Sequence, residues 1–153
     1  MAKLWIASKP VSSDYEHLYL VYDPDGNPSS GDELVFRGGP VNDNPLNFGG
    51  IKIENWQPIA NSRDSLSGED PYSGRNYTEV PLGGKTAEQV KTDLSNWANN
   101  LSSGSFDVFG NIITKIPYST PIDLTNTGAQ PKPALNSNTT IKSAIESIGI
   151  DFQ

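Results

Sequence analysis

The chain contains no cysteine and one histidine among its 153 residues. The absence of cysteine excludes disulfides and thiolate catalysis, and a single imidazole cannot build an ordinary zinc or iron site. We therefore expect no metal and no cofactor. Long apolar runs are also missing, since the stretch LWIA at 4–7 is shorter than a signal-peptide core or a membrane span. We expect no membrane span and no signal peptide, hence a cytoplasmic protein or one exported by a route other than Sec.

Positive charge is scarce, because 11 Lys and Arg stand against 18 Asp and Glu and give a net charge of −7. The basic residues form no run that could follow a phosphate backbone, so nucleic acid is not an expected partner. The expected partner is a peptide or protein, either substrate or ligand, and the acidic charge favours a basic one. The same net charge is also typical of a soluble small domain without such a partner.

The length indicates one domain that spans residues 1–153. Alternation of apolar and polar residues predicts strands at 3–7, 15–23, 33–36, 49–56 and 78–82. The segment 106–116 is either a further strand or a short helix, and its β-branched residues favour the strand. The second and third of these strands are predicted to form an antiparallel hairpin with a long loop. The polar residues at 57–77 form a loop of a length that is usually functional or mobile.

Two helices are predicted, at 86–101 and 138–148. Thr86 and Gln89 form a capping box at the start of the first, and Gly149 ends the second. The apolar stripes are Val90, Leu94, Trp97 and Leu101 on the first helix and Ile141, Ala144, Ile145 and Ile148 on the second. We therefore predict an α+β fold in which an antiparallel sheet of about four to five strands packs against two main helices.

Two motifs are similar to ligand-binding loops but are better explained as turns. The sequence GGKT at 83–86 matches the end of a phosphate-binding loop, yet Glu79 stands where such a loop needs its first Gly. The sequence DPDGN at 23–27 has oxygen side chains at alternating positions, as a calcium loop does. Its Gly comes two residues early, however, and Leu34 occupies the twelfth position, where a calcium loop has Glu. We expect a turn before a capped helix in the first motif and a hairpin turn in the second.

His17 and Ser137 are the candidates for catalysis. A serine hydroxyl is a weak nucleophile until a base takes its proton, and His17 is the one residue of the type that titrates near neutral pH. Ser137 precedes the second predicted helix, where the helix dipole and the free backbone N–H groups favour an oxyanion. The alternative for Ser137 is a helix cap, because the residues of "NSNTT" cap helices well. The alternative for His17 is a structural or surface residue.

Three stretches resemble the PPPDE family of permuted papain-like hydrolases, which includes desumoylating isopeptidases. The stretch HLYLVY is similar to the family's strand of the form His-x-x-V-x-V-Tyr, which opens with the catalytic His. The stretch ELVFRGG is similar to a second strand with Glu, an aromatic residue and Gly, and NSN at 136–138 stands where the family has Asn-Cys-Asn at a helix start. The resemblance covers 15–40 and 134–150. The matching residues are His17, Glu33, Phe36, Gly38, Gly39, Asn136, Ser137 and Asn138.

The resemblance implies a permuted papain-like fold and hydrolysis of a peptide, isopeptide or other acyl bond. It assigns catalysis to His17 and Ser137, with Asn136, Asn138, Gly38 and Gly39 in support. The chain departs from the family because Ser137 replaces the nucleophilic Cys, and a hydroxyl in a site built for a thiolate needs a stronger base. Three interpretations follow: a serine version of the enzyme, an inactive relative, or a sequence whose Cys was replaced. The second function class is a non-catalytic binding or toxin-associated module on the same fold.

Overall fold

The computed structural model describes residues 1–12, 15–27, 31–41, 50–62, 74–108, 110–117 and 137–149. Within these ranges the chain forms one antiparallel sheet of seven strands and two α-helices, which confirms the predicted α+β class. The strands are β1 (Lys3–Ser12), β2 (Tyr15–Asp23), β3 (Leu34–Pro40), β4 (Gly50–Pro58), β5 (Asn76–Glu79), β6 (Ser102–Phe106) and β7 (Ile112–Pro117). The helices are α1 (Ala87–Asn100) and α2 (Ser137–Ser147).

The sheet has the strand order β5-β1-β2-β3-β4-β7-β6 and is larger than the predicted four to five strands. The two edge strands account for the difference. Strand β5 pairs with β1, and β6 pairs with β7 beyond a tight turn in which Gly110 N–H donates to the Asp107 carbonyl. Both edge strands are rich in polar residues and lack a clear apolar face, because an edge strand is covered on fewer sides. The alternation of apolar and polar residues therefore placed β5 at 78–82, whereas it begins at Asn76. The single segment predicted within 106–116 contains the end of β6 and most of β7.

The predicted hairpin of β2 and β3 is confirmed, with Leu20 opposite Phe36. Alternation along the strands produces an apolar cluster on each face of the sheet. The face under the helices carries residues such as Leu20, Phe36 and Ile53, and the opposite face carries Tyr19, Val21 and Val35. The described part of the 57–77 loop contains the 3-10 turn Ile59–Asn61 and the start of β5, while 63–73 lies outside the described residues.

The predicted cap of α1 and the predicted apolar stripes of both helices are present in the structure. Thr86 Oγ1 accepts from Gln89 N–H and Gln89 Oε1 accepts from Thr86 N–H, which is the predicted capping box. The residues that bury each helix against the sheet are Val90, Leu94 and Ala98 on α1 and Ile141, Ala144 and Ile145 on α2. Gly149 has a φ of +84°, in keeping with its predicted role at the end of α2. Neither of these helices is long and apolar enough to cross a membrane.

Strand β4 contains a bulge at Trp56. The pairing of β3 with β4 slips by one residue there, and Trp56 takes a φ of +61°, in the left-handed region that bulky residues rarely adopt. The indole N–H donates to the Lys91 carbonyl of α1 at 3.0 Å, and the Trp56 ring lies 5.2 Å from that of Phe36. These contacts hold Trp56 between the sheet and α1 in spite of its backbone conformation.

Candidate active site

His17 lies near the beginning of β2, on the face of the sheet opposite the helices. Alternation places it on the same face as Tyr19 and Val21, which belong to the apolar cluster there. The imidazole stacks on the Tyr19 ring, with 5.6 Å between centroids and 22° between planes. His17 as a whole is 6% exposed. His17 is therefore an ordered and largely desolvated side chain, and the alternative of a surface histidine is wrong.

The hydrogen-bonded ladder between β2 and β3 stops short of His17. On the β2 side the described pairs run from Tyr22 to Leu20 and none follows toward the start of the strand. The Leu18 N–H, which a longer ladder could use, donates instead to Oδ1 of Asn138 at 2.9 Å. Because Asn138 belongs to the first turn of α2, the start of this helix fills the opening between the two strands.

Gly38 of β3 forms the other side of this opening. A Cβ at Gly38 would lie 2.8 Å from Cβ and Oγ1 of Thr140, which is fully buried in the first turn of α2. Only glycine allows a helix to approach the strand so closely. At Gly39, by contrast, a Cβ would lie 3.5 Å from a guanidinium nitrogen of Arg37, which is an ordinary contact. Sterically, then, the structure requires glycine at Gly38 and not at Gly39.

Ser137 is the first residue of α2 and immediately precedes Asn138. Its backbone lies one helical turn before Thr140, on the same stripe of the helix. The backbone N–H groups of a helix's first turn have no acceptor within the helix. The Ser137 side chain and the whole of Asn136 lie outside the described residues, so the predicted contact between Ser137 and His17 stays a prediction.

The structure thus brings the strand of His17, Gly38, Asn138 and the backbone of Ser137 to one opening in the sheet. The His17 ring and the apolar face of α2 lie on opposite sides of that sheet. An approach of Ser137 to His17 therefore has to pass between β2 and β3. The described β2–β3 pairs end at Leu20, and Asn138 accepts the Leu18 N–H in this gap.

Arg37 and Glu54 form a buried ion pair that the sequence analysis did not predict. They are opposite each other on β3 and β4, and Arg37 Nε lies 3.8 Å from Glu54 Oε2, with 8% and 5% of the side chains exposed. Alternation places both on the same side of the sheet as His17. Arg37 lies directly after the strand predicted at 33–36, so nothing in the sequence indicated that it is buried in β3. Removing one member of such a pair destabilises a fold strongly because the other charge stays buried.

Residues that could hold a metal ion lie elsewhere in the fold. Among the described residues, one group of carboxylates converges, formed by Asp23, Asp32 and Glu33 at the end of β2 remote from His17. None of the predicted catalytic or supporting residues belongs to this group.

Comparisons with protein-family models, with curated proteins and with solved structures give no match to this chain. The resemblance to PPPDE hydrolases therefore rests on the motif residues themselves. Of the motif residues, Gly38 and Asn138 lie with the residue after His17 at one opening in the sheet, although they come from distant parts of the chain. Glu33 lies at the other end of the hairpin, in the group with Asp23 and Asp32, and Asn136 lies outside the described residues.

Proposed function

We propose that this domain is a permuted papain-like hydrolase that cleaves a peptide, isopeptide or other acyl bond, with Ser137 as the nucleophile and His17 as the base. The observation that carries this proposal is the hydrogen bond from Leu18 N–H to Asn138 Oδ1, across a sequence separation of 120. Leu18 follows His17 and Asn138 follows Ser137, so both proposed catalytic residues are direct chain neighbours of this bond.

In the proposed acylation step, His17 takes the hydroxyl proton of Ser137 while Oγ bonds to the carbonyl carbon of the substrate. The carbonyl oxygen becomes an anion, which the N–H groups of the first turn of α2 stabilise. His17 then gives its proton to the leaving group, and the acyl group stays on Ser137 as an ester. A water molecule that loses a proton to His17 then attacks the ester carbonyl carbon. The bond from this carbon to Ser137 Oγ breaks, His17 returns its proton to Oγ, and the carboxylic acid leaves.

The surroundings of His17 support its role as an oriented base. Stacking on Tyr19 restricts the ring, and a restricted ring loses less entropy when it takes a proton from a fixed donor. Gly38 supports the same arrangement, because the close approach of Thr140 sets the depth of α2 in the opening. A deeper or shallower helix would move Ser137 relative to β2.

A fluorophosphonate probe, which forms a covalent bond with activated serine hydroxyls, tests the proposal. The wild-type protein is expected to gain one phosphonyl group, and peptide mapping is expected to place it on Ser137. Labelling is expected to be lost in Ser137→Ala and in His17→Gln. The matched control is Ser147→Ala, an exposed position at the other end of the same helix, which is expected to keep full labelling.

Circular dichroism and the melting temperature establish that each variant is folded before its labelling is compared. A wild-type protein that the probe does not modify would contradict retained activity. Labelling that persists in folded Ser137→Ala would contradict the assignment of the nucleophile, and labelling that persists in folded His17→Gln would contradict the assignment of the base.

The second candidate is a non-catalytic binding module on the same fold. The burial of His17, which is 6% exposed, favours it because a substrate proton must reach a catalytic imidazole. This candidate predicts that a basic peptide or protein partner binds wild type, Ser137→Ala and His17→Gln equally well. Loss of probe labelling in both variants would argue against it.

A further inference from the structure

A separate cluster of acidic residues lies at the end of β2 remote from His17. Asp23 ends β2 and Glu33 precedes β3, directly beyond the last described pair of Tyr22 with Leu34, and carboxylate oxygens of the two acids lie within 4.8 Å of each other. Asp23 is 0% exposed and Glu33 is 1% exposed. Like charges opposite each other destabilise a sheet, and buried carboxylates are rare unless a partner compensates them.

Two further carboxylates complete the cluster. One oxygen of Asp32 lies within 4.8 Å of oxygens from Asp23 and from Glu33. Asp25 adjoins Asp23, because the Asp25 N–H donates to Asp23 Oδ1 at 3.1 Å. Four acidic residues are thus gathered around the connection between β2 and β3. The backbone also orients them, since Asn27 N–H donates to Asp25 Oδ1 at 2.8 Å.

The hydrogen bonding of the Asp23 carboxylate is a second, independent observation that indicates a cation at this cluster. Its Oδ1 accepts from the Asp25 N–H at 3.1 Å, whereas its Oδ2 is buried and accepts no hydrogen bond from any described residue. Lys3 is opposite Asp23 on β1, but its ammonium group pairs with Glu79 at 3.2 Å and lies 5.6 Å from the Trp5 ring. Buried carboxylate oxygens in folded proteins nearly always have a donor or a bound ion.

We propose that the carboxylates of Asp23, Asp25, Asp32 and Glu33 bind one calcium ion. The donors are all oxygen atoms with a high negative charge, which selects a hard cation over zinc or iron. The donor residues come from the end of β2 and from the loop between β2 and β3. A site built on a loop suits the flexible coordination of calcium. Magnesium requires a near-ideal octahedron and keeps most of its water.

The strand register explains how this loop departs from the ordinary calcium-loop pattern. An EF-hand-type loop that began at Asp23 would need Glu at its twelfth position, where Leu34 stands. Glu33, one residue earlier, is the residue that the β2–β3 pairing places opposite Asp23. Gly31 N–H donates to both oxygens of Glu33, at 3.2 and 2.9 Å, and so orients this carboxylate. Glu33 thus replaces the missing twelfth ligand.

Isothermal titration of the metal-stripped protein with CaCl2, together with melting curves, tests the proposal. The wild type is expected to bind one calcium ion per chain and to melt at a higher temperature with calcium, because only the folded chain assembles the site. MgCl2 at the same concentration is expected to have a smaller effect. Asp32→Asn removes the charge of an exposed ligand and is expected to weaken calcium binding by at least about tenfold, with the melting temperature of the calcium-free variant as the check that it is folded.

Asp23→Asn provides a second readout. It is expected to abolish the calcium response and to raise the melting temperature of the calcium-free protein, because it removes one of two opposed buried charges. Asp93→Asn, which changes a half-exposed acid on α1 that pairs with Lys85, is the matched control and is expected to bind calcium like the wild type. Absence of a calcium response in the wild type at millimolar concentration would overturn the proposal. So would wild-type affinity in both Asp23→Asn and Asp32→Asn, and an equal magnesium response would overturn the choice of calcium.

Discussion

The side-chain oxygen of Asn138 accepts the backbone N–H of Leu18 at 2.9 Å, although the two residues are 120 positions apart in the chain. The Asn138 side chain, at the start of α2, thereby accepts a hydrogen bond that the backbone of a neighbouring strand would accept in a continuous sheet. The bond ties the first turn of α2 to the residue after His17. The proposed chemistry of Ser137 depends on this attachment.

Removing the acceptor at Asn138 is expected to weaken the fold measurably. In Asn138→Ala the half-buried Leu18 N–H loses its partner, and we predict a loss of about 1–2 kcal/mol in the free energy of unfolding. Asn138→Asp keeps an oxygen acceptor and adds a negative charge at a helix N-terminus, so it is expected to stay within about 0.5 kcal/mol of the wild type. Urea unfolding measures both. Equal losses in the two variants would contradict the role of this hydrogen bond.

Gly38 and Gly39 are adjacent glycines with different steric surroundings, and alanine at each is expected to act differently. Gly38→Ala places a Cβ 2.8 Å from Thr140 and is expected to cost about 1–3 kcal/mol, because α2 has to move away from β3. The matched control Gly39→Ala meets only an ordinary contact at 3.5 Å and is expected to be nearly neutral. Denaturant unfolding of Gly38→Ala and Gly39→Ala measures the two losses of stability. Comparable costs at both positions would contradict the close approach of α2.

Trp56 is expected to contribute through both its ring and its indole N–H. Trp56→Phe keeps an aromatic ring but leaves the Lys91 carbonyl without its donor, for an expected loss of about 1 kcal/mol. Trp56→Ala also empties the space against Phe36 and is expected to cost about 3–5 kcal/mol. Thermal and urea unfolding compare the two. A Trp56→Phe variant as unstable as Trp56→Ala would mean that the hydrogen bond dominates over packing.

Local patterns in the sequence predicted much of the fold. The capping box at Thr86, the apolar stripes of both helices and the hairpin of β2 and β3 all follow from interactions between residues close in sequence. The seven-stranded sheet was underestimated because β5 and β6 are held by pairing with β1 and β7, and pairing between distant segments leaves no local period. The slip of register at Trp56 has the same origin, since it is set by packing against α1.

The candidate site, too, was predictable from the sequence only in part. Motifs identify His17 and the residues around Ser137 separately, but only the fold brings β2 to the start of α2. The pairing of Arg37 with Glu54 and the meeting of Asp23 with Glu33 depend on strand register, which alternation alone does not determine. The turn predicted at 23–27 is present, yet its acids converge with residues beyond the turn.

Asp23 is expected to make stability depend on pH in calcium-free buffer. Burial above all, followed by the adjoining Asp25 carboxyl, raises the pKa of Asp23 from 3.8 to about 6. The folded state therefore binds more protons than the unfolded chain between these values, and the free energy of unfolding falls as pH rises through this window. Lys3 on β1 and Glu33 beside β3 are the charged neighbours opposite Asp23.

Urea unfolding of wild type and Asp23→Asn at several pH values between about 4 and 7 measures this contribution. Relative to Asp23→Asn, the wild type is expected to lose stability as pH rises, because only the wild type must ionise the buried carboxyl. Two stability curves that stay parallel across the window would show that Asp23 titrates alike in the folded and unfolded states, contrary to this account.

The central claim is that His17 and residue 137 meet at the opening between β2 and β3, and the thiol pKa of the Ser137→Cys variant tests it most directly. Because the chain has no other cysteine, the pH dependence of alkylation by iodoacetamide reports this thiol alone. A thiol beside an imidazolium titrates well below the value of about 8.5 for a free cysteine. Ser147→Cys, at the far end of α2, supplies the reference.

The account predicts a thiol pKa below about 7 for Ser137→Cys, and a value at least about one pH unit higher when His17→Gln is added. The reference variant Ser147→Cys is expected to stay near about 8.5 with or without His17. A thiol pKa at position 137 that does not change when His17 is replaced, in a protein shown to be folded, would contradict the proposed pair.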